Sequence, residues 1–201
     1  NAPEKKGTAK RYSHHIPKQG AGQIVLIGVP NVGKSQILGS FTNAKPDISA
    51  TPYATQEAVV GMLNYENIQF QLIDTPPITS DFVQPEVLDL ARSSDMLLVV
   101  VNLAGDEVLD ELELVKSKFR EGKISFQERS GPGDDLNMSI KTGLNKRVLV
   151  VANQMDEVSA AARLEILSEF YADTLDICPL SANTGEGLEL LQKAIYDGLK
   201  I

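Results

Sequence analysis

With 201 residues, 42% of them hydrophobic and 23% charged, the chain has apolar material for one globular domain and a small appendage. No apolar run approaches the ~20 residues that span a bilayer, and Asn1-Ala2-Pro3-Glu4-Lys5-Lys6 lacks the apolar stretch of a signal peptide, so a soluble, cytoplasmic protein without a membrane span is expected. The net charge of −8 is uneven: residues 1–22 set Lys5, Lys6, Lys10, Arg11 and Lys18 against Glu4 alone, a basic segment of +4 ahead of a body of −12.

In chain order, Gly20-Ala21-Gly22 reads as a hinge, and residues 23–28 as a strand whose aliphatic run Ile24-Val25-Leu26-Ile27 lacks alternation, as in a central parallel strand covered on both faces. A helix over about 34–42 follows, then a loop from Asn43 to Ala58 carrying Pro46 and Pro52. Residues 59–65 and 68–74 read as strands joined by a Glu66-Asn67 turn, and Pro85 starts a helix to about Arg92. Residues 96–101 form a second buried strand, and 106–119 a helix with Val108, Leu109, Leu112 and Val115 on one side. Residues 121–146, with Gly131-Pro132-Gly133-Asp134-Asp135, read as an insertion holding at most a short hairpin. Strands at 147–152 and 176–180 and helices at 159–171 and 188–199 complete an α/β domain over residues 23–201. The single cysteine, Cys178, excludes an internal disulfide and reads as a small buried hydrophobe; His14 and His15 have no companions at metal-ligand spacing.

The stretch that carries chemistry is Gly28-Val29-Pro30-Asn31-Val32-Gly33-Lys34-Ser35, between a buried strand and a helix. Glycines five apart followed by Lys-Ser make a phosphate-binding loop, because only a Gly-rich turn entering a helix lets several backbone N–H groups converge on one polyphosphate. The expected cradle is Gly28, Asn31, Val32, Gly33, Lys34, Ser35 and Gln36, with Lys34 reaching the β- and γ-phosphates and the Ser35 hydroxyl on Mg²⁺. Asp74, ending a strand at the ligand-binding edge of an open α/β sheet, is placed to join it.

Two later segments narrow the nucleotide. Asn153-Gln154-Met155-Asp156 and Ser181-Ala182-Asn183 each follow a strand and resemble the base-recognition motifs of translation-factor-class GTPases. A carboxylate at Asp156 accepts both N1–H and N2–H of guanine, a donor pair adenine lacks. The motif order over about 23–200, with Gly-Val-Pro-Asn-Val-Gly-Lys-Ser and Asn-Ala-Lys-Pro-Asp-Ile shortly after, is similar to the Obg and developmentally regulated GTP-binding group. That resemblance implies a three-layer P-loop G domain with a mostly parallel six-stranded sheet, GTP and GDP as ligands, and hydrolysis of GTP. It places Thr55, in Thr51-Pro52-Tyr53-Ala54-Thr55, on the Mg²⁺-binding switch threonine beside Ser35 and Asp74. It assigns Lys34, Thr55 and Asn31 to catalysis and the base to Asn153, Gln154, Asp156, Ser181, Ala182 and Asn183. It also implies a partner in the ribosome or ribosomal RNA, and none in DNA.

Three positions depart from the group's pattern. Gln154 replaces the lysine that packs over the base. Asp74-Thr75-Pro76-Pro77 stands where the group has Asp-x-x-Gly, and proline has no N–H with which to sense a γ-phosphate. Ile78 occupies the place of the water-orienting glutamine of Ras-like enzymes. Asn31 in turn resembles the asparagine of potassium-activated GTPases, which implies K⁺ as a second cation. Pro77 and Ile78 keep a second reading open, a guanine-nucleotide-binding interaction module with little turnover, and Gln154 a third, specificity for ATP.

Overall fold

The computed structural model describes residues 16–41, 58–129 and 143–200. In order these form β1 (Gly22–Ile27), α1 (Lys34–Phe41), β2 (Val59–Tyr65), β3 (Ile68–Asp74), α2 (Pro85–Ser93), β4 (Met96–Asn102), α3 (Val108–Glu121), β5 (Ile124–Phe126), β6 (Leu144–Lys146), β7 (Val148–Asn153), α4 (Ala160–Tyr171), β8 (Asp176–Pro179) and α5 (Leu188–Leu199). Six strands make one sheet in the order β2-β3-β1-β4-β7-β8, with β2 antiparallel to β3 and the other pairs parallel. This is the three-layer α/β arrangement, with the expected mostly parallel six-stranded sheet.

The missing alternation in β1 has a direct physical origin. Ile24 and Leu26 point into the layer holding Ile37 and Leu38 of α1 and Leu191 and Ile195 of α5. Val25 and Ile27 point the other way, among Val87 and Leu90 of α2, Val115 of α3 and Leu167 of α4. All four side chains are fully buried, and each such burial contributes ~1.5–3 kcal/mol. The C-terminal end of this strand is thus rigidly placed, and the phosphate loop leaves from it.

Residues ahead of β1 also join the sheet. Ile16 is buried in the α2–α4 layer. The buried Gln23 amide donates to the Ile16 carbonyl at 3.1 Å and to Gln71 Oε1 at 2.9 Å, while Gln71 donates to the Pro17 carbonyl at 3.2 Å.

Residues 121–146, read from the sequence as holding at most a short hairpin, differ from that reading. β5 and β6 do pair, with Ile124 opposite Leu144 and Phe126 opposite Lys146, but in parallel. A parallel pair requires a long return connection rather than a tight turn, and three-residue strands carry too little periodicity to reveal their direction.

Candidate functional site

The phosphate loop runs from Gly28 to Gly33 between β1 and α1, at the point where the sheet places β3 on one side of β1 and β4 on the other. Ligands of open α/β sheets bind at such a switch point. Two glycines are needed here for distinct reasons. A Cβ on Gly28 would lie 2.6 Å from the Val100 carbonyl of β4. Gly33 sits at φ +92°, and a Cβ there would meet Asn153 Nδ2 at 2.3 Å. Asn31 also takes a left-handed conformation, φ 65°, and is exposed. The first helical hydrogen bond of α1 runs from Ile37 N–H to the Gly33 carbonyl at 2.9 Å. The preceding N–H groups of Lys34, Ser35 and Gln36 therefore have no intrahelical acceptor and are the open donors of the helix N-terminus.

Lys34 is buried, its Nζ 3.5 Å from the Gly28 carbonyl. Burial holds its pKa below the ordinary lysine range, partly offset by the charge of Asp74. Asp74 is buried too, and burial raises its carboxyl above the usual range against the opposing pull of the Ser35 hydroxyl, Lys34 and the Thr75 backbone. Ser35 Oγ donates to Asp74 Oδ2, whereas the buried Asp74 Oδ1 has no hydrogen-bond partner among the described residues. An orphaned carboxylate oxygen next to a serine hydroxyl is a donor set that fits a hard divalent cation. Thr55 lies outside the described residues.

The loops after β7 and β8 converge on the same end of the sheet. Asn153 is fully buried; its Nδ2 donates to the Val32 carbonyl at 3.0 Å and its Oδ1 accepts from Ala182 N–H at 3.0 Å. One side chain therefore joins the phosphate loop to the Ser-Ala loop. Asp156 is exposed, with Ser181 Oγ donating to Oδ1 at 2.6 Å and Asn183 Nδ2 to Oδ2 at 3.0 Å. These two bonds hold its pKa below the ordinary range, and each oxygen keeps a lone pair for a further donor. Gln154 is left-handed at φ 70° and half-buried.

The sequence does not disclose the fate of the segment after Asp74. Thr75 Oγ1 donates to the Leu26 carbonyl at 2.7 Å, and Ile78 N–H donates to the Gly28 carbonyl at 3.0 Å. The Ile78 side chain is fully buried. Pro77 offers no N–H, and the next one along is already spent on the phosphate loop itself. Pro77 was the signal that this segment is unusual; nothing in the sequence pointed to Gly28 as the acceptor. A separate cavity of about 870 Å³, bordered by Met96, Val148, Asp176 and Gly198, lies at the starts of β4, β7 and β8, the edge of the sheet away from the phosphate loop.

Residues 23–154 match the family described as 50S ribosome-binding GTPase. The GTPase Obg of Opitutus terrae is 28% identical over 197 residues, covering 92% of this chain and 52% of that protein. Human developmentally-regulated GTP-binding protein 2 is 27% identical over 150 residues, 69% and 41% of the two chains. The GTPase Era of Mycobacterium bovis is 28% identical over 180 residues, 85% and 54%. The chain thus spans about half the length of these relatives or less. Among solved structures, the G domain of the Thermotoga maritima FeoB iron transporter superimposes with a TM-score of 0.62 at 22% identity, covering 88% of this chain and 98% of that one. Aquifex aeolicus Era bound to GDP and AlF4⁻ gives 0.61 at 22% identity, covering 89% and 56%. These structural likenesses establish the fold. With the family match spanning both the phosphate loop and the Asn153 region, the chain belongs to the 50S ribosome-binding GTPase family.

Proposed function

We propose that this chain binds GTP and GDP with Mg²⁺ and hydrolyses GTP slowly. The observation that carries the reading is the pair of hydrogen bonds made by Asn153, to Val32 in the phosphate loop and to Ala182 in the loop whose Ser181 holds Asp156, which braces the segments read as polyphosphate and base sites against each other. In this reading Gly28 and Asn31 to Gln36 hold the phosphates, and Asp156 reads guanine, held in place by Ser181 and Asn183. Gln154 flanks the base without the cationic stem of a lysine. Ser35, Asp74 and Thr55 hold Mg²⁺, which supplies charge neutralisation on the phosphate oxygens. Lys34, whose charge burial disfavours, is ready to gain from an anionic ligand. Asn31, exposed at the loop's apex, is the ligand for K⁺ in a potassium-activated mechanism.

The family description supports a ribosome-associated role; a solved Era structure holds MgGDPNP and a segment of 16S ribosomal RNA. On this reading the protein acts in the cytoplasm. No helix among the described residues is long and apolar enough to cross a membrane.

The low-turnover module is the second reading, favoured by the Ile78 N–H being held on the Gly28 carbonyl and by the absence of a polar side chain at that position. Single-turnover hydrolysis of radiolabelled GTP with Mg²⁺, run in K⁺ and in Na⁺ with and without ribosomes, separates the two. Turnover faster in K⁺ supports the enzyme and Asn31 as cation ligand. Equal rates in both salts remove the potassium claim, and no turnover under any condition leaves the binding module.

A further inference from the structure

α4 carries two apolar faces where α2, α3 and α5 each spend theirs mainly on the core. Its inner face is accounted for: Ala160 and Leu167 are buried, with Leu164 and Tyr171 packed against the same layer. Its outer face continues the apolar spacing in a second row. Val158 just ahead of the helix is fully exposed, Ala162 is exposed, Ile166 is 43% and Phe170 64% exposed. Residues four apart on a helix form a straight ridge, and a single apolar stripe suffices to seat a surface helix. An exposed phenylalanine and isoleucine in register on such a ridge mark a contact face.

Charge identifies what fits it. The adjacent row, one residue earlier at each turn, is Glu157, Ala161, Glu165, Glu169 and Asp173, all exposed. Among the described residues none of these four carboxylates has an ion-pair partner. The cation nearest in sequence, Arg163, is committed to Asp106 at 2.6 Å and to the Leu103 carbonyl at 2.8 Å. An apolar ridge bordered by unpaired carboxylates repels a phosphate backbone and complements an apolar stripe flanked by lysine or arginine.

We propose that the outer face of α4 is a protein-docking surface for a basic amphipathic helix of a partner protein, with Ile166 and Phe170 as the buried anchors and Glu165, Glu169 and Asp173 as the charged rim. The site stands apart from the nucleotide loops, so it does not depend on the hydrolysis reading. The test is fluorescence anisotropy of a labelled Leu/Lys amphipathic helical peptide of about 18 residues, long enough to hold a helix on contact, titrated with the full chain. A scrambled peptide of equal composition measures plain charge attraction.

The expected result is that the amphipathic peptide binds more tightly than the scrambled one. The double variants Ile166→Ser/Phe170→Ser and Glu165→Lys/Glu169→Lys each weaken it at least about tenfold, while Leu190→Ser, which alters an exposed leucine on α5, leaves it unchanged. Unaltered melting temperatures show that the surface variants remain folded. Equal binding of both peptides, or insensitivity to Ile166→Ser/Phe170→Ser, overturns the proposal. So do single-stranded RNA binding through Ile166 and Phe170 and self-association of the chain that Phe170→Ser abolishes.

Discussion

Asn153→Ala is the perturbation that bears most heavily on the coupling of phosphate and base loops. The wild-type amide is fully buried and uses both ends, giving a proton to the Val32 carbonyl and taking one from Ala182 N–H, each at 3.0 Å. Truncation leaves that carbonyl and that N–H unpaired in a buried setting, at about 1–3 kcal/mol each. Water entering the vacated space recovers part of this, so a loss of about 3 kcal/mol is expected. A domain of this size moves ~2–4 °C per kcal/mol, and the melting temperature should fall by roughly 6–12 °C in a thermal scan followed by circular dichroism. GDP affinity should drop with it by about tenfold or more, since both loops lose their shared brace. Asn153→Asp, similar in shape but presenting an acceptor to the Val32 carbonyl, should be at least as damaging. An alanine variant melting within about 2 °C of wild type and binding GDP normally would refute this reasoning.

Pro77→Gly restores an N–H in the segment whose next donor, on Ile78, is held by Gly28. It should raise the preference for a non-hydrolysable GTP analogue over GDP by about fivefold, one hydrogen bond's worth, read as a ratio of dissociation constants. An unchanged ratio would show that this segment never approaches the γ-phosphate. Cys178 offers a pH test: burial pushes its thiol up from 9.0 to about 11. Its folded pKa is raised, so the stability this neutral thiol contributes is whole below the unfolded pKa and is lost as pH rises through the folded one. At pH 9 the native thiol should therefore react with a disulfide reagent far more slowly than the unfolded chain, and comparable rates would contradict the assigned burial.

The fold was legible because its signals are redundant. β1, β4 and β7 are continuous aliphatic runs covered on both faces, and α5 keeps Leu191 and Ile195 at core spacing from Leu188 to Leu199. The phosphate loop was legible because its glycines answer local steric demands, the Val100 carbonyl at Gly28 and the left-handed φ at Gly33. Direction in β5 and β6 was not, since three residues set no register and their pairing depends on contacts far apart in sequence. Nor was the anchoring of Ile78, a backbone hydrogen bond that depends on where two loops meet rather than on side-chain identity. Asn153 was placed with the base; that its amide also braces Val32 follows only from the close approach of two loops more than a hundred residues apart.

We propose that Asp156, exposed and held by Ser181 and Asn183, gives this site its guanine specificity. The deciding measurement is competition of GDP, xanthosine diphosphate and ADP against a fluorescent GDP, on wild type and on Asp156→Asn with Mg²⁺ and K⁺ present. Wild type should prefer GDP over both competitors by about a hundredfold or more, the worth of two hydrogen bonds to a charged group at about 1.5 kcal/mol each. The variant, presenting an amide N–H₂ to the ring edge, should shift towards xanthosine diphosphate. ADP binding as tightly as GDP, or a variant with undiminished preference for GDP, would show that Asp156 does not read the base.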